Sequence, residues 1–301
     1  MPAPIAVFAF NRPDHLRGTL DALSANGPAR ESHLTVFCDA PRGPKDAEAC
    51  GRVREVARTA AGFASVTVVA RETNHGCAAS VIRGTKEMFA EHDRLVVIED
   101  DIVTSPVTLT FLNRALDEYE ARPVVFSVTA WAPPRRMLRV PARYRFNSYF
   151  IRRFHCWGWA SWRDRWALND WSVPGYGEYR DDPAIRAAHA EAGSDLPGML
   201  DAQMAGRIDS WAIRAEYTRL RVGGLTLYPR VPLVRNTGVD GTGRHCGTDD
   251  RYADDLAGVD TILDRPFPDL AYVDPEIAAA FRQVYSGRGV LDAIRRIVRR
   301  R

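Results

Sequence analysis

A chain of 301 residues, 46% hydrophobic and 26% charged, has an ordinary globular composition and can fill one large α/β domain or two smaller ones. Its formal net charge of +3, with basic residues scattered until the C-terminus, argues against a nucleic-acid partner. Five cysteines (Cys38, Cys50, Cys77, Cys156 and Cys246) form no CxxC pair, which argues against a disulfide framework or a zinc site and suits a reducing compartment. No charged flank and apolar core mark a signal peptide, and no apolar run is long enough to span a bilayer, so a cytoplasmic location is expected.

Pro4 to Phe10 reads as a first buried strand. Asn11-Arg12-Pro13-Asp14 turns into a helix with Leu16, Leu20 and Leu23 on one face, stopped by Gly27. Leu34–Phe37 is a second strand, ending in a loop with Asp39 at its tip. A helix carrying Val53, Val56, Ala57 and Ala60 follows, then a strand at Val66–Val69 and a turn at Asn74-His75-Gly76. Val81, Ile82, Thr85, Met88 and Phe89 mark the next helix, which feeds the strand Leu95-Val-Val-Ile98. Strict alternation over roughly 100 residues predicts βαβ units, a parallel sheet and right-handed crossovers.

That last strand runs into Glu99-Asp100-Asp101. Three adjacent carboxylates repel and cannot be left dry without partners. At the carboxyl end of a parallel strand they project into the crevice where open α/β sheets bind ligands, and a divalent cation with a phosphate-bearing ligand suits them. The alternative is an acidic strand end that caps the following helix through Asp101 or Ser105. No Gly-x-Gly-x-x-Gly follows the first strand and no Gly-Lys-Ser/Thr is present, so a dinucleotide or P-loop fold is not expected.

Residues 106–122 carry helical spacing and Val124–Val128 is strand-like. Five of the seven tryptophans then fall between Phe154 and Trp171, mostly as packing residues, with one or two free for sugar stacking. Ile208-Asp209-Ser210-Trp211 opens a helix; there Asp209 is a helix-start acid, by capping or for chemistry. Leu225–Tyr228 is a short strand. Residues 236–247, rich in glycine, form a loop able to act as a lid. Val290, Leu291, Ile294, Ile297 and Val298, edged by arginines, make a cationic amphipathic helix that docks on the body or on an anionic membrane.

Taken in order, Ile5-Ala-Val-Phe-Ala-Phe-Asn-Arg12, Asp39, Val97-Ile-Glu-Asp-Asp101, Trp157-Gly158-Trp159, Asp209-Ser210-Trp211 and Pro229–Gly238 resemble a GT-A glycosyltransferase, in particular N-acetylglucosaminyltransferase I and its bacterial relatives. The resemblance covers roughly residues 4 to 250. It implies that Arg12 and Asp39 contact the uracil and diphosphate region of a UDP-sugar. Glu99 belongs to the same donor site, with Asp100 on the ribose. Asp101 would bind Mn²⁺ (or Mg²⁺), and Asp209 would be the base that deprotonates the acceptor hydroxyl. Arg244 and His245, in the mobile donor loop, are added as phosphate contacts, and Trp159 and Trp211 as rings stacking on sugar or acceptor. Asn11 and Ser210 stand where that family has acids.

The expectation is an α/β, GT-A-like, mostly parallel sheet flanked by helices. A single domain spans 1–275 (donor half about 1–130, acceptor half about 131–275), and a basic helix spans 276–301. Its expected activity is inverting, metal-dependent transfer of a sugar, N-acetylglucosamine by the resemblance, to a glycan or lipid-linked acceptor, with peripheral membrane contact through the C-terminal helix. Two competitors are a sugar-nucleotide nucleotidyltransferase, which wants a glycine-rich basic loop in place of Asn11-Arg12-Pro13-Asp14, and a non-catalytic carbohydrate-binding module.

Overall fold

The expected alternation is present. β1 (Ile5–Ala9), α1 (Pro13–Ser24), β2 (His33–Cys38), α2 (Pro44–Arg58), β3 (Ser65–Ala70), α3 (Cys77–Glu91) and β4 (Arg94–Glu99) follow one another, with all four strands parallel. The structure is a computed structural model, and it describes residues 1–241 and 251–286. After β4 come β5 (Ile102–Thr104), α4 (Thr108–Tyr119), β6 (Val125–Thr129), β7 (Ser148–Ile151), β8 (Trp159–Trp162) and α5 (Arg163–Trp166). The chain continues with α6 (Tyr176–Asp181), α7 (Pro183–Ala190), α8 (Leu196–Met204), α9 (Trp211–Arg221), β9 (Leu225–Pro229), β10 (Val234–Asn236) and α10 (Pro275–Val284).

Eight strands make one sheet in the order β3-β2-β1-β4-β8-β6-β9-β7. β8 slots between β4 and β6 and runs antiparallel to both, and β7 is antiparallel to β9 at the edge. The rest are parallel, so the sheet is mostly parallel, as expected. The acceptor-half strands are built into the donor-half sheet instead of forming a layer of their own. β5 and β10 pair antiparallel as a separate two-stranded ribbon, with Asn236 opposite Ile102. Neither ribbon strand was legible, because three residues carry no periodicity.

Both faces of the sheet are covered. Along β4 alternate side chains point to opposite layers. Leu95 and Val97 join Val81, Met88 and Phe89 of α3 with Trp159 and Trp166, whereas Val96 and Ile98 join Leu16, Leu20, Leu109 and Leu112 of α1 and α4. Gly84 lets α3 lie close against β1, since a Cβ there would overlap the Phe8 ring.

The 43 residues between Glu120 and Asp164 hold nine arginines and no acid. Acids of the C-terminal segment lie over this stretch: Asp254 accepts from the Arg135 N–H at 3.0 Å, and Glu276 meets Arg143 at 2.6 Å. The segment after residue 250 docks mainly by burying Val259, Ile262, Phe267, Ile277 and Phe281 in the core, with these exposed charge pairs at its rim. α10 crosses the boundary expected at residue 275, and the amphipathic stretch at 290–301 lies outside the described residues.

Candidate active site

The alternation of β4 decides where its terminal acids go. Glu99 continues the Leu95–Val97 face, the layer that holds Trp211 at the start of α9, and its carboxyl lies beside that indole. Asp100 follows the opposite face and meets the Arg12 guanidinium at the start of α1. The same Nη2 lies 3.0 Å from Asp101 Oδ2, so one arginine nitrogen spans two neighbouring carboxylates. Thr19 Oγ1 donates to the Asp100 carbonyl at 2.8 Å, which pins the turn itself.

None of these acids caps a helix. α4 starts at Thr108, beyond β5, and lacks a capping side chain of its own. Asn26 Oδ1, from the α1–β2 connection, accepts from the Leu109 N–H at 2.9 Å instead. Of the two capping candidates, Asp101 is separated from the helix start by β5, and Ser105 Oγ pairs with the Thr108 hydroxyl at 3.0 Å instead of capping a backbone N–H.

The cluster is electrostatically frustrated. Burial, reinforced by Asp101 and Asp100, pushes the Glu99 carboxyl up to about 8. Burial also pushes Asp100 up to about 6, against the opposing pull of Arg12. Arg12 is itself half-buried, which alone would lower its pKa, yet Asp100 and Asp101 hold it above the ordinary arginine value. Two polar atoms here are buried without a hydrogen-bond partner: Asp101 Oδ1 and Arg12 Nη1.

Beside the acids opens a cleft of about 290 Å³, lined by residues of the β1–α1 loop, the tip of β2 and the start of α3, with Glu99 and Asp100 at one end. Asp39 lies in this wall, 5% exposed, as expected for a strand-tip acid. Its oxygens accept from the backbone N–H groups of His75 at 2.9 Å and Gly76 at 2.9 Å, and from Asn74 Nδ2 at 3.1 Å. Asp39 thus ties the β2 tip to the loop before α3, where Gly76 sits at a φ of +77° that favours glycine. Arg42, over the Phe10 ring at 4.8 Å, also lines the cleft. Sequence reading saw the Asn74-His75-Gly76 turn but not that it closes the cleft, because the contact spans 35 or more residues.

On the acceptor side two expectations change. The helix at Asp209 begins at Trp211, and Ser210 Oγ accepts from the Ile213 N–H, so Asp209 precedes the helix and is not its cap. Its half-exposed carboxylate lies 3.4 Å from Arg214 Nη2. Trp159 and Trp211 are 0% and 3% exposed, packed with Phe154 and Trp166, so neither presents a face for stacking on a sugar or acceptor. On β8 and at the start of α9 these rings fill the layer under the sheet, the commoner use of clustered tryptophans. Aromatics with some exposure lie elsewhere: His155 stacks on Trp131 at 3.9 Å, and Trp157 and Tyr252 pack edge-on beside them. Trp157 precedes Gly158, whose Cα is packed against Val234 of β10 and Ile98 of β4.

β10 continues into residues lying directly on the acids. Thr237 N and Oγ1 both donate to the Asp101 carbonyl, at 2.8 and 3.0 Å, and His15 Nε2 is 3.2 Å from Asp240. Arg244 and His245, expected as phosphate contacts, lie outside the described residues.

A divalent cation can be tested against this donor set. Among the described residues no three His, Cys, Asp or Glu side chains converge on a point suited to a metal. The buried, unpartnered Asp101 Oδ1 does supply one hard oxygen. Mg²⁺-like ions are commonly held by one or two carboxylates, with substrate phosphates and water completing the shell. The residues present fit a cation that arrives with a diphosphate, and do not form an all-protein cage.

Among the described residues no helix is long and apolar enough to cross a membrane. No curated protein matches the chain. A solved structure, that of S. aureus TarS, is similar at 17% identity and a TM-score of 0.35, over 50% of this chain and 25% of that one. The present chain thus spans about a quarter of the length of TarS. The family model described as "Glycosyltransferase like family 2" matches residues 2–170. That match takes in β1 to α5, the cleft and all three strand-end acids, and it shows that the chain belongs to the glycosyltransferase-like family 2.

Proposed function

We propose that the protein transfers a sugar, with inversion, from a UDP-sugar to a hydroxyl of a glycan or lipid-linked acceptor, using Mn²⁺ or Mg²⁺ bound at Asp101. N-acetylglucosamine is the sugar suggested by the resemblance to N-acetylglucosaminyltransferase I. The observation that carries this reading is the packing of Trp211, close after Asp209, in the layer of β4 side chains that ends at Glu99. It brings the segment bearing Asp209, on the acceptor half, to the acidic end of the donor cleft. One carboxylate on each side of a transferred sugar is what a single inverting displacement needs.

In this reading the cleft between Phe10, Asp39 and the start of α3 takes the nucleoside, and Arg12 and Asp101 face the diphosphate. The cation, when bound, neutralises charge that grows on the leaving phosphate. Asp209 accepts the proton of the acceptor hydroxyl as that oxygen attacks the anomeric carbon, and the bond to the diphosphate breaks. Glu99, kept protonated by burial, positions Trp211 and with it the start of α9. The ledge of Trp157, His155 and Tyr252 is the surface on which an acceptor ring can lie, replacing Trp159 and Trp211 in that role. Residues 290–301 are proposed to rest on an anionic membrane carrying the acceptor. Liposome co-sedimentation lost on their deletion supports this, and co-sedimentation unchanged removes it.

Calorimetric titration with UDP, GDP and CMP, each with and without Mn²⁺, tests the core of the proposal. Binding of UDP that strengthens at least tenfold with Mn²⁺ is expected. Equal UDP affinity with Mn²⁺ and with excess chelator would sink the metal-dependent reading. Release of pyrophosphate from UTP and a sugar phosphate would support nucleotidyl transfer instead.

A further inference from the structure

We infer that Arg12 is a resident counter-cation that keeps free divalent metal off Asp101 and gives way only to metal and nucleotide diphosphate together. This rests on the metal-dependent reading above and assigns the coupling between the two ligands to Arg12. Arg12 Nη2 already bridges Asp100 and Asp101, so the position a free cation would take is held by a positive charge. The bridge uses only part of the guanidinium: Nη1 is buried and has no partner. An arginine whose fork is half used is suited to a second, bidentate acceptor, and a phosphate is one.

The covering backbone reinforces the exclusion. Gly238 lies so close that a Cβ on it would overlap Asp101 Oδ2 and stand 2.9 Å from Arg12 Nη1. Thr237 holds that backbone down through two hydrogen bonds to the Asp101 carbonyl. A hydrated ion therefore meets a neutralised carboxylate, a repelling guanidinium and a cover. Asp101 Oδ1 alone cannot replace an ion's water shell, since no third side-chain ligand stands with it among the described residues. A diphosphate changes each of these conditions. It offers oxygens to the idle face of Arg12, draws the guanidinium off Asp101, and supplies the missing ligands to the cation. Such coupling is reciprocal: nucleotide must raise metal affinity by the factor by which metal raises nucleotide affinity.

Mn²⁺ binding followed by the loss of its free electron-paramagnetic signal tests the inference without an activity readout. The wild-type protein should bind Mn²⁺ alone weakly, and at least tenfold more tightly with saturating UDP. Arg12→Met should bind Mn²⁺ alone at least tenfold more tightly than wild type, with the UDP enhancement reduced. Mn²⁺ should also raise its melting temperature more than that of wild type, since two buried carboxylates have lost their cation. Arg12→Lys, which keeps the charge but not the fork, should still exclude free Mn²⁺ while losing most of the coupling to UDP. Wild-type protein that binds Mn²⁺ equally well with and without UDP overturns the inference and, by reciprocity, the metal-dependent reading with it, and that measurement needs no variant. A folded Arg12→Met, checked by circular dichroism, with unchanged Mn²⁺ affinity overturns it too, while Mn²⁺-dependent UDP binding by wild type would leave the functional reading standing. Wild-type protein that binds no Mn²⁺ even with UDP removes both.

Discussion

Two buried carboxylate clusters, one at the end of β4 and one on α9, are built in opposite ways. Glu216 on α9, 2% exposed, accepts from the Phe154 N–H at 2.5 Å and from Arg219 through Nε at 2.9 Å and Nη2 at 2.8 Å. Arg219 spends its remaining nitrogen on the Gly224 carbonyl at 2.8 Å. Burial alone would push Glu216 up, but Arg219 and His189 override it and hold the carboxyl at about 2. At the end of β4 burial wins instead: Glu99 is pushed up to about 8, and an oxygen of Asp101 and a nitrogen of Arg12 are left without partners. Both Glu216 oxygens and all three Arg219 nitrogens are paired, leaving only the neighbouring His189 Nε2 without a hydrogen bond, whereas at the end of β4 the ion pair itself is incomplete. The contrast sets the fully bonded Glu216–Arg219 pair apart from the half-used fork of Arg12.

The comparison breaks if the two clusters respond alike to substitution. Glu216→Ala should lower stability by about 3–5 kcal/mol, because it strands Arg219 in the interior. Asp209→Asn should leave stability within about 0.5 kcal/mol but cut turnover by roughly 10²–10⁴-fold with UDP-sugar affinity kept. Urea denaturation and steady-state kinetics on the two variants decide this. A stable Glu216→Ala, or an Asp209→Asn enzyme turning over at near wild-type rate, would erase the division.

Acid should then unfold the protein partly through Glu216. Its folded pKa of about 2 lies below the ordinary glutamate value of 4.5, so its contribution is fully present above the unfolded pKa and is lost as pH falls toward 2. Expected on this account is a loss of order 3 kcal/mol between pH 5 and pH 2 that Glu216→Gln does not show. Glu99 runs the other way: its raised pKa withdraws stability as pH rises toward 8, so Glu99→Gln should gain relative stability over that range. Melting temperatures against pH for both variants check the two signs.

Asp101→Asn sharpens the contrast with a smaller effect on the fold. It should change stability by about 1 kcal/mol or less, since one oxygen of the carboxylate already lacks a partner, and it should abolish the Mn²⁺ enhancement of UDP binding. Retained enhancement would move the metal site. The smallest expected effect is at Ser210, which caps α9 where Asp209 does not. Ser210→Ala should destabilise by about 0.5–1 kcal/mol with turnover per folded enzyme unchanged, separating the cap from the proposed base. A larger loss of turnover than of stability would tie the cap to the chemistry.

The first 100 residues could be read almost element by element, because β1, β2 and β4 are largely buried apolar runs and each helix shows one apolar face. Leu16, Leu20 and Leu23 on α1 and Leu95–Ile98 on β4 are all in the core where periodicity put them. The three acids after β4 were equally plain, since three adjacent charges stand out against an apolar strand. What only the tertiary structure decided depends on contacts far apart in the chain. Insertion of β8 between β4 and β6 buries Trp159 in the same layer as Trp211, and so removes both rings from any sugar site. Pairing of β5 with β10 frees Asp101 from capping α4 and lays Thr237 and Gly238 over it. The bridge of Arg12 to both aspartates joins residues 88 and 89 positions apart, and no local pattern encodes it. Periodicity reports which face of an element is buried; which partner lies against that face is set by sheet order and loop closure, and that is where the character of this site was decided.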